Sequence, residues 1–362
     1  MQLPPPIHGA STINDIIAKS ELLDFHFNKT VINISTASSI SEIGYFTFNK
    51  VIKSFSLYYK VIHSLLFAKA QICYITLSPT GLGFWKDSVL VLLCKIFKKK
   101  IIIHFHGRGI KEFFFLNKVN KFYYKLVCKN TYLIFLSNKL SNDFPTDYVS
   151  VKKYFFLNNC LSKDDFDLKK EFNSNSKLRL LFLSNLIKDK GVLEFLEICR
   201  LLSTNKINYT GKIVGKEFDI TGDYINEFLI KHSLKENLQY CGPLYNQKKE
   251  EVLLNSDILI LPTKNDAFPL VILEAFKFGV VPLSVNIGGI ADIIENNKTG
   301  FCFEDNKPEY FVETIKLLHQ NRALLNNMAN NCMNEFKSKY TIDKFETNFI
   351  HIMNEVYKLE YE

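Results

Sequence analysis

No apolar run in this 362-residue chain comes near the ~20 residues that a membrane-spanning helix needs. The longest, such as SVLVLLC at 88–94, fall far short. The start, MQLPPPIHGAS, has neither the basic stretch nor the apolar stretch of a secretory leader. The eight cysteines, at 73, 94, 128, 160, 199, 241, 302 and 332, form no CxxC pair. Most sit among apolar neighbours, as in QICYI and VLLCKI, which points to reduced core thiols rather than disulfides or a zinc site. No GxGxxG follows a strand pattern, and GLG at 81–83 is too short to count, so a nicotinamide cofactor is a poor fit. There is no short-period internal repeat. The expectation is a soluble, cytoplasmic chain without a resident cofactor.

What is present suits a globular protein: 47% hydrophobic and 23% charged residues. The length allows two domains, each with its own core. The net charge of +8 is unevenly spread. Residues 1–150 hold 18 Lys/Arg against 8 Asp/Glu, a balance of +10, and the remainder holds 27 against 29, a balance of −2. That asymmetry predicts two domains with different partners.

Short apolar runs alternate with helical patterns. In the back half the strand candidates are 178–184, 209–215, 237–242, 257–263 and 280–285, with helices at 191–202 and 248–256 between them. The front half repeats the theme at 30–35, 71–78, 100–107, 131–137 and 153–159. Continuous apolar strands separated by helices indicate parallel sheets buried on both faces. The division expected is an N-terminal domain over 1–165, a linker over 166–177, a C-terminal domain over 178–340, and a final helix over 341–362 that packs back toward the N-terminal domain. Both domains read as Rossmann-like α/β units facing across a cleft, where ligands lie beyond the carboxyl ends of the strands. DFD at 165–167 has the form of a metal-binding DxD, but no strand precedes it, so it reads as solvated charge.

The segment NDAFPLVILEAFKFG (265–279) carries the chemistry. A strand ends near Pro262, and Pro269 opens a helix, where its missing N–H is not needed. Asp266 stays in the loop and Glu274 sits about one and a half turns into the helix. The N–H groups around Phe268 and Leu270 would favour a phosphate. Two acids flanking an anion site suit the hydroxyls on either side of the phosphates of a nucleotide sugar. On spacing alone, a solvated loop Asp and a surface helix Glu remain open.

This segment resembles the signature of retaining glycosyltransferases of family 4, which have the GT-B fold. That signature is two acids separated by seven residues, then a small-residue strand and a GG loop. Here they are Asp266, Glu274 and GVVPLSVNIGGIADIIENNKTGFCFE at 279–304. The resemblance implies that Asp266 contacts the donor sugar and Glu274 the ribose. The family usually has Glu at the first position. LFLSNLIKDKG (181–191) matches the first strand and loop of the family's donor domain, so Lys190 would neutralise the donor diphosphate. Asn185 stands where the family usually has arginine, and donates without charge. In IIIHFHGRG (101–109), His106 corresponds to the histidine facing the sugar, His104 reads as structural, and Arg108 could bind an acceptor phosphate. PPPIHGAS (4–11) resembles the small-residue loop that approaches the donor phosphate, with Gly9 allowing close backbone contact.

The resemblance implies a bacterial glycosyltransferase of surface polysaccharide synthesis, O-antigen, capsule or similar. It would move a sugar from a nucleotide-diphosphate donor to a saccharide or polyprenyl-linked acceptor, with no metal and no nucleic acid. The alternative is a catalytically weak GT-B scaffold or partner subunit. KEFFFLNKVNKFYYKLVCK (111–129) reads as one helix with a stripe of Lys111, Lys118, Lys121, Lys125 and Lys129. Phe115, Phe122, Tyr123, Leu126 and Val127 lie across its other side, which suits either a core-packed helix or peripheral contact with an anionic membrane. Finally, only Met1 to Leu3 precede the proline loop, too few for a typical first strand. The expectation is a native chain with further apolar residues upstream.

Overall fold

The computed structural model describes residues 1–35, 48–68, 70–163 and 177–361. The DFD motif and the expected linker, apart from Lys177, lie outside the described residues. The chain divides into two compact units: Met1–Cys160 together with Ile342–Glu362, and Leu161–Thr341.

The first unit opens with helices α1 (Gly9–Lys19), α2 (Glu21–His26) and α3 (Phe48–Phe67). Strands and helices then alternate: β1 (Ile72–Leu77), α4 (Gly81–Ile96), β2 (Lys100–Phe105), α5 (Ile110–Phe115), α6 (Lys118–Cys128), β3 (Tyr132–Phe135), α7 (Asn138–Ser141) and β4 (Lys153–Phe156). The four strands are parallel and lie in chain order. Alternate residues of β2 serve opposite faces. Ile101, Ile103 and Phe105 join the core shared with Phe84, Val91 and Tyr124. His104 points to the other face, beside Tyr74. The closing helix, α15 (Ile342–Tyr361), belongs to this unit. Its Phe349 packs against Tyr74, and Glu360 near its end bonds to Lys100, Lys152 and Tyr132.

Two readings need correction. Residues 30–35 form no strand. In place of a strand ladder, Met1 N donates to the Ile32 carbonyl at 3.0 Å, Ile34 N to the Met1 carbonyl at 3.0 Å, and the Lys86 ammonium to the Ile34 carbonyl at 3.0 Å. The expected single helix over 111–129 is two, α5 and α6. The break comes because the Asn117 side chain caps α6 by accepting from Asn120 N at 2.8 Å, which starts a new helix. Val127 lies in the core, Lys111 belongs to α5, and Lys129 is the residue that ends α6.

The second unit holds β5 (Leu178–Leu183), a 3₁₀ turn (Lys188–Lys190), α8 (Val192–Thr204), β6 (Tyr209–Val214), α9 (Gly222–Lys231), β7 (Leu238–Tyr240), α10 (Asn246–Leu254) and β8 (Ile258–Leu261). It continues with α11 (Leu270–Lys277), β9 (Val281–Val285), α12 (Ile290–Ile293), β10 (Phe301–Phe303), α13 (Pro308–Gln320) and α14 (Arg322–Lys339). Its six strands are all parallel, in the order β10-β9-β8-β5-β6-β7. Chain order runs outward in both directions from the β5/β8 seam. This is the doubly wound arrangement, and the seam is its switch point, where loops diverge and ligands bind. β8 and β9 are buried along their whole length, as strands covered on both faces must be. β10, in the FCF segment, has no counterpart among the sequence-predicted strands.

Candidate functional site

Unit 2 builds its site from the loops that leave the carboxyl ends of β5, β8 and β9. After β5 the chain passes Asn185, turns through Lys188–Lys190 and enters α8 at Gly191. Gly191 is left-handed at φ 85°, and a Cβ there would lie 2.2 Å from the Pro262 carbonyl oxygen. Only glycine lets the β5 loop come this close to the end of β8. The two loops are then tied together. Lys264 N and the Thr263 hydroxyl both donate to the Asp189 carbonyl, at 2.7 and 3.0 Å.

That seam sets Lys190 against Asp266. The ammonium donates to Asp266 Oδ2 at 2.6 Å and to the Asn265 carbonyl at 3.0 Å. Both side chains are half-buried, so the pair is less screened than a surface one. The β9 loop closes over the same spot: Gly289 N donates to the Ala267 carbonyl at 2.6 Å. Gly288 is left-handed, and a Cβ on it would stand 2.2 Å from the Asp266 carbonyl. The GG loop therefore works as a close-packed buttress under Asp266.

Pro269 precedes α11, and Leu270 and Val271 begin it, with N–H groups that have no carbonyl four residues back within the helix. Leu270 is half-buried, whereas the Phe268 side chain is buried against Tyr340. Phe268 can therefore serve a ligand only through its backbone. Glu274, further along α11, accepts from Lys249 Nζ of α10 at 2.6 Å. Asn185 is half-buried beside the β6 loop, where a Cβ on Gly215 would sit 1.8 Å from the Ser184 carbonyl.

In unit 1, His106 follows the end of β2. The loop after it is held by Asp143, whose carboxylate accepts from the N–H groups of Gly109, Ile110 and Lys111 at 2.6, 2.9 and 3.2 Å. Neither ring nitrogen of His106 reaches solvent or has a hydrogen-bond partner among the described residues. Burial, and next the proximity of His8, hold its pKa down to about 3, so the ring is neutral at physiological pH. The His104 ring lies 4.0 Å from it, centre to centre. His104 is fully buried, and its Nδ1 pairs with the Tyr74 hydroxyl at 2.6 Å. Burial raises the Tyr74 pKa, so the phenol donates and His104 Nδ1 accepts. His8 caps α1 by accepting from Ser11 N at 3.3 Å, and Gly9 is the exposed first residue of that helix. Arg108 is exposed in the loop before α5.

The structure thus joins Lys190 with Asp266, and sets His106 beside the cap of the helix that Gly9 begins. Sequence reasoning missed Lys249, which lies in a KKEE run that reads as a solvated face. It also missed the Tyr74–His104 pair, which only parallel β1/β2 pairing brings together.

Residues 163–334 match the family model described as glycosyl transferases group 1. The chain is 23% identical over 292 residues to the O-antigen biosynthesis glycosyltransferase WclY of Escherichia coli, covering 75% of this chain and 78% of that protein. It is 25% identical over 181 residues to the UDP-Gal:alpha-D-GlcNAc-diphosphoundecaprenol alpha-1,3-galactosyltransferase of Escherichia coli, over 49% of this chain and 46% of that one. For three further curated relatives the match takes up 34%, 57% and 53% of their own length. Among solved structures, Anabaena Alr3699/HepE in complex with UDP superimposes with a TM-score of 0.68 at 14% identity, over 83% of this chain and 82% of that one. The fold is GT-B.

Proposed function

We propose that this chain, whose residues 163–334 match the family model of glycosyl transferases group 1, is a retaining glycosyltransferase of bacterial surface polysaccharide synthesis. It moves a sugar from a nucleotide-diphosphate donor to a saccharide or lipid-linked saccharide. The observation that carries this reading is the Lys190–Asp266 pair at the switch point of unit 2, beside the open N-terminus of α11. A donor diphosphate brings the anion that such an N-terminus and lysine attract. Lys190 then shares its ammonium between phosphate and Asp266, and the freed lone pairs of Asp266 accept from sugar hydroxyls. Asn185 adds a neutral donor, Phe268 and Leu270 contribute backbone, and Glu274 takes the ribose.

The chemistry asked of these groups is electrostatic. The departing diphosphate gains negative charge and the sugar becomes oxocarbenium-like, so preorganised donors and a carboxylate lower the barrier without a covalent intermediate. In a same-face mechanism the leaving phosphate accepts the acceptor's proton. In unit 1, neutral His106 has the sugar-facing role, Gly9 the backbone approach and Arg108 an acceptor phosphate. The named activities of the two Escherichia coli relatives support an acceptor on the path to a surface polysaccharide, and the second of them a lipid diphosphate.

Unit 1 is also assigned a membrane-facing role, on the inner face of the plasma membrane. Phe115, Leu116, Val119, Phe122 and Leu126 are exposed along the end of α5 and the outer face of α6, among Lys118, Lys121 and Lys125. Lys121 lies over the Phe115 ring at 4.6 Å. Apolar residues ringed by lysines suit the headgroup layer of an anionic bilayer. Among the described residues no helix is long and apolar enough to cross a membrane.

The deciding experiment is a panel of nucleotide sugars screened by melting shift, followed by product analysis with the best binder. Stabilisation by one sugar nucleotide and transfer with retained anomeric configuration are expected. Binding without turnover would instead favour the scaffold reading, and no binding at all would refute the donor site.

A further inference from the structure

Glu274 does not meet solvent alone. Its Oε1 accepts from Lys249 Nζ at 2.6 Å, while Oε2 has no hydrogen bond among the described residues. The lysine comes from a different helix, α10, and is half-buried, unlike its exposed neighbour Lys248. Glu250 and Glu251 lie next to it on its own helix, yet Lys249 reaches across to α11. Holding a long side chain in one rotamer costs conformational entropy, so a pair formed this way restricts both partners. One oxygen is anchored and the other is left as an acceptor.

We propose that Lys249 is the positioning residue for Glu274, anchoring Oε1 so that Oε2 is aimed at a vicinal diol. The diol is the ribose of the donor, and this inference rests on the donor reading given above. Lys249 has a second effect. An unneutralised Glu274 would stand within a Debye length of a bound diphosphate and repel it, and the paired carboxylate does so less. Lys249 touches no reacting atom in this role, and acts through Glu274. The two functions separate in the laboratory. Loss of aim lowers the preference for an intact ribose, whereas loss of charge balance weakens all diphosphates alike.

The test uses the full chain and the nucleoside diphosphate, among those of uridine, guanosine, adenosine and cytidine, that most raises its melting temperature. Calorimetric titration compares that ligand with its 2′,3′-dideoxy analogue. Wild type should prefer the ribose form by roughly 10-fold or more, the scale of one hydrogen bond to a charged group. Lys249→Met should shrink the preference to about 3-fold or less, Glu274→Gln should do the same, and Lys249→Arg should retain most of it. Lys249→Ala, which also removes the donor, gives the same readout if the methionine variant folds poorly. A full ribose preference in Lys249→Met or Lys249→Ala would overturn the assignment while leaving the donor site intact. A wild type that binds both ligands equally overturns it too, by removing Glu274 from the ribose. If none of the four diphosphates bound, the donor reading itself would fall and this inference with it.

Discussion

Gly288→Ala is a direct probe of how the site is built. Gly288 is left-handed at φ 57°, and its added Cβ would lie 2.2 Å from the Asp266 carbonyl and 2.7 Å from that of Ala267. The conformational cost of a left-handed alanine is about 1–2 kcal/mol. Relief in the unfolded chain returns roughly 0.4–1 kcal/mol of this. The collision adds more, because both obstacles are backbone atoms that no rotamer change can move. The Asp266 carbonyl must retreat from 2.2 Å to at least 3.0 Å, and the overpacking costs roughly 1–3 kcal/mol. The sum is about 2–4 kcal/mol, and at about 2–4 °C per kcal/mol in a unit of this size the melting temperature should fall by about 5–15 °C. The retreat also shifts the 2.6 Å Lys190–Asp266 pair, so donor affinity should fall ~10-fold or more. Gly242→Ala is the control. Gly242 has φ 67° but nothing within 4 Å of a Cβ, so it should cost about 1 kcal/mol and leave nucleotide affinity unchanged. Differential scanning calorimetry and nucleotide titration of both variants decide the matter. If Gly288→Ala melted with Gly242→Ala and bound donor like wild type, the buttress argument would be wrong.

Two more outcomes are expected. The Glu360 carboxylate is only 5% exposed; burial alone would raise its pKa, but hydrogen bonds from Lys100, Lys152 and Tyr132 outweigh this and bring it down to about 2. Its folded pKa is thus below the ordinary 4.5, so its contribution is complete above that value and is lost as pH falls toward 2. With partly exposed lysines screening the cluster, Glu360→Gln should cost about 1–2 kcal/mol at neutral pH and nothing near pH 2, read by urea melts across that range. A neutral-pH stability equal to wild type would show that the cluster does not hold α15. On anionic vesicles, a Lys118/Lys121/Lys125 triple alanine variant and Phe122→Ser should each sediment less than wild type, and raised salt should release wild type. Equal pelleting of all three proteins would reduce the face to ordinary solvated surface.

Much of the second unit was legible in the chain itself. Its central strands β8 and β9 are buried along their whole length, as a parallel sheet covered on both faces requires, while β5 and β6 stay mainly apolar but admit Arg179 and an exposed Lys212. Asp266 and Glu274 stood out because acids at the two ends of an otherwise apolar segment need a reason. The unit 1 reading failed where local signals compete. Asn117 sits inside a helical period, and only its capping bond shows that one helix ends and another begins. The apolar run at 30–35 has strand composition, but in the folded chain its backbone meets Met1 and the Lys86 ammonium and pairs with none of the described strands.

Tertiary structure alone decided who meets whom. Lys190 reaches Asp266 because β5 and β8 are neighbours at a switch point, a fact of strand order that no local pattern encodes. Lys249 reaches Glu274 because α10 and α11 bring them within 2.6 Å, although one lies in a run that looks solvated and the other in a run that looks buried. Composition and periodicity report which face of an element is apolar. Pairing of charges across elements depends on strand order and on glycines such as Gly191 and Gly288, whose missing Cβ atoms let the loops close to contact.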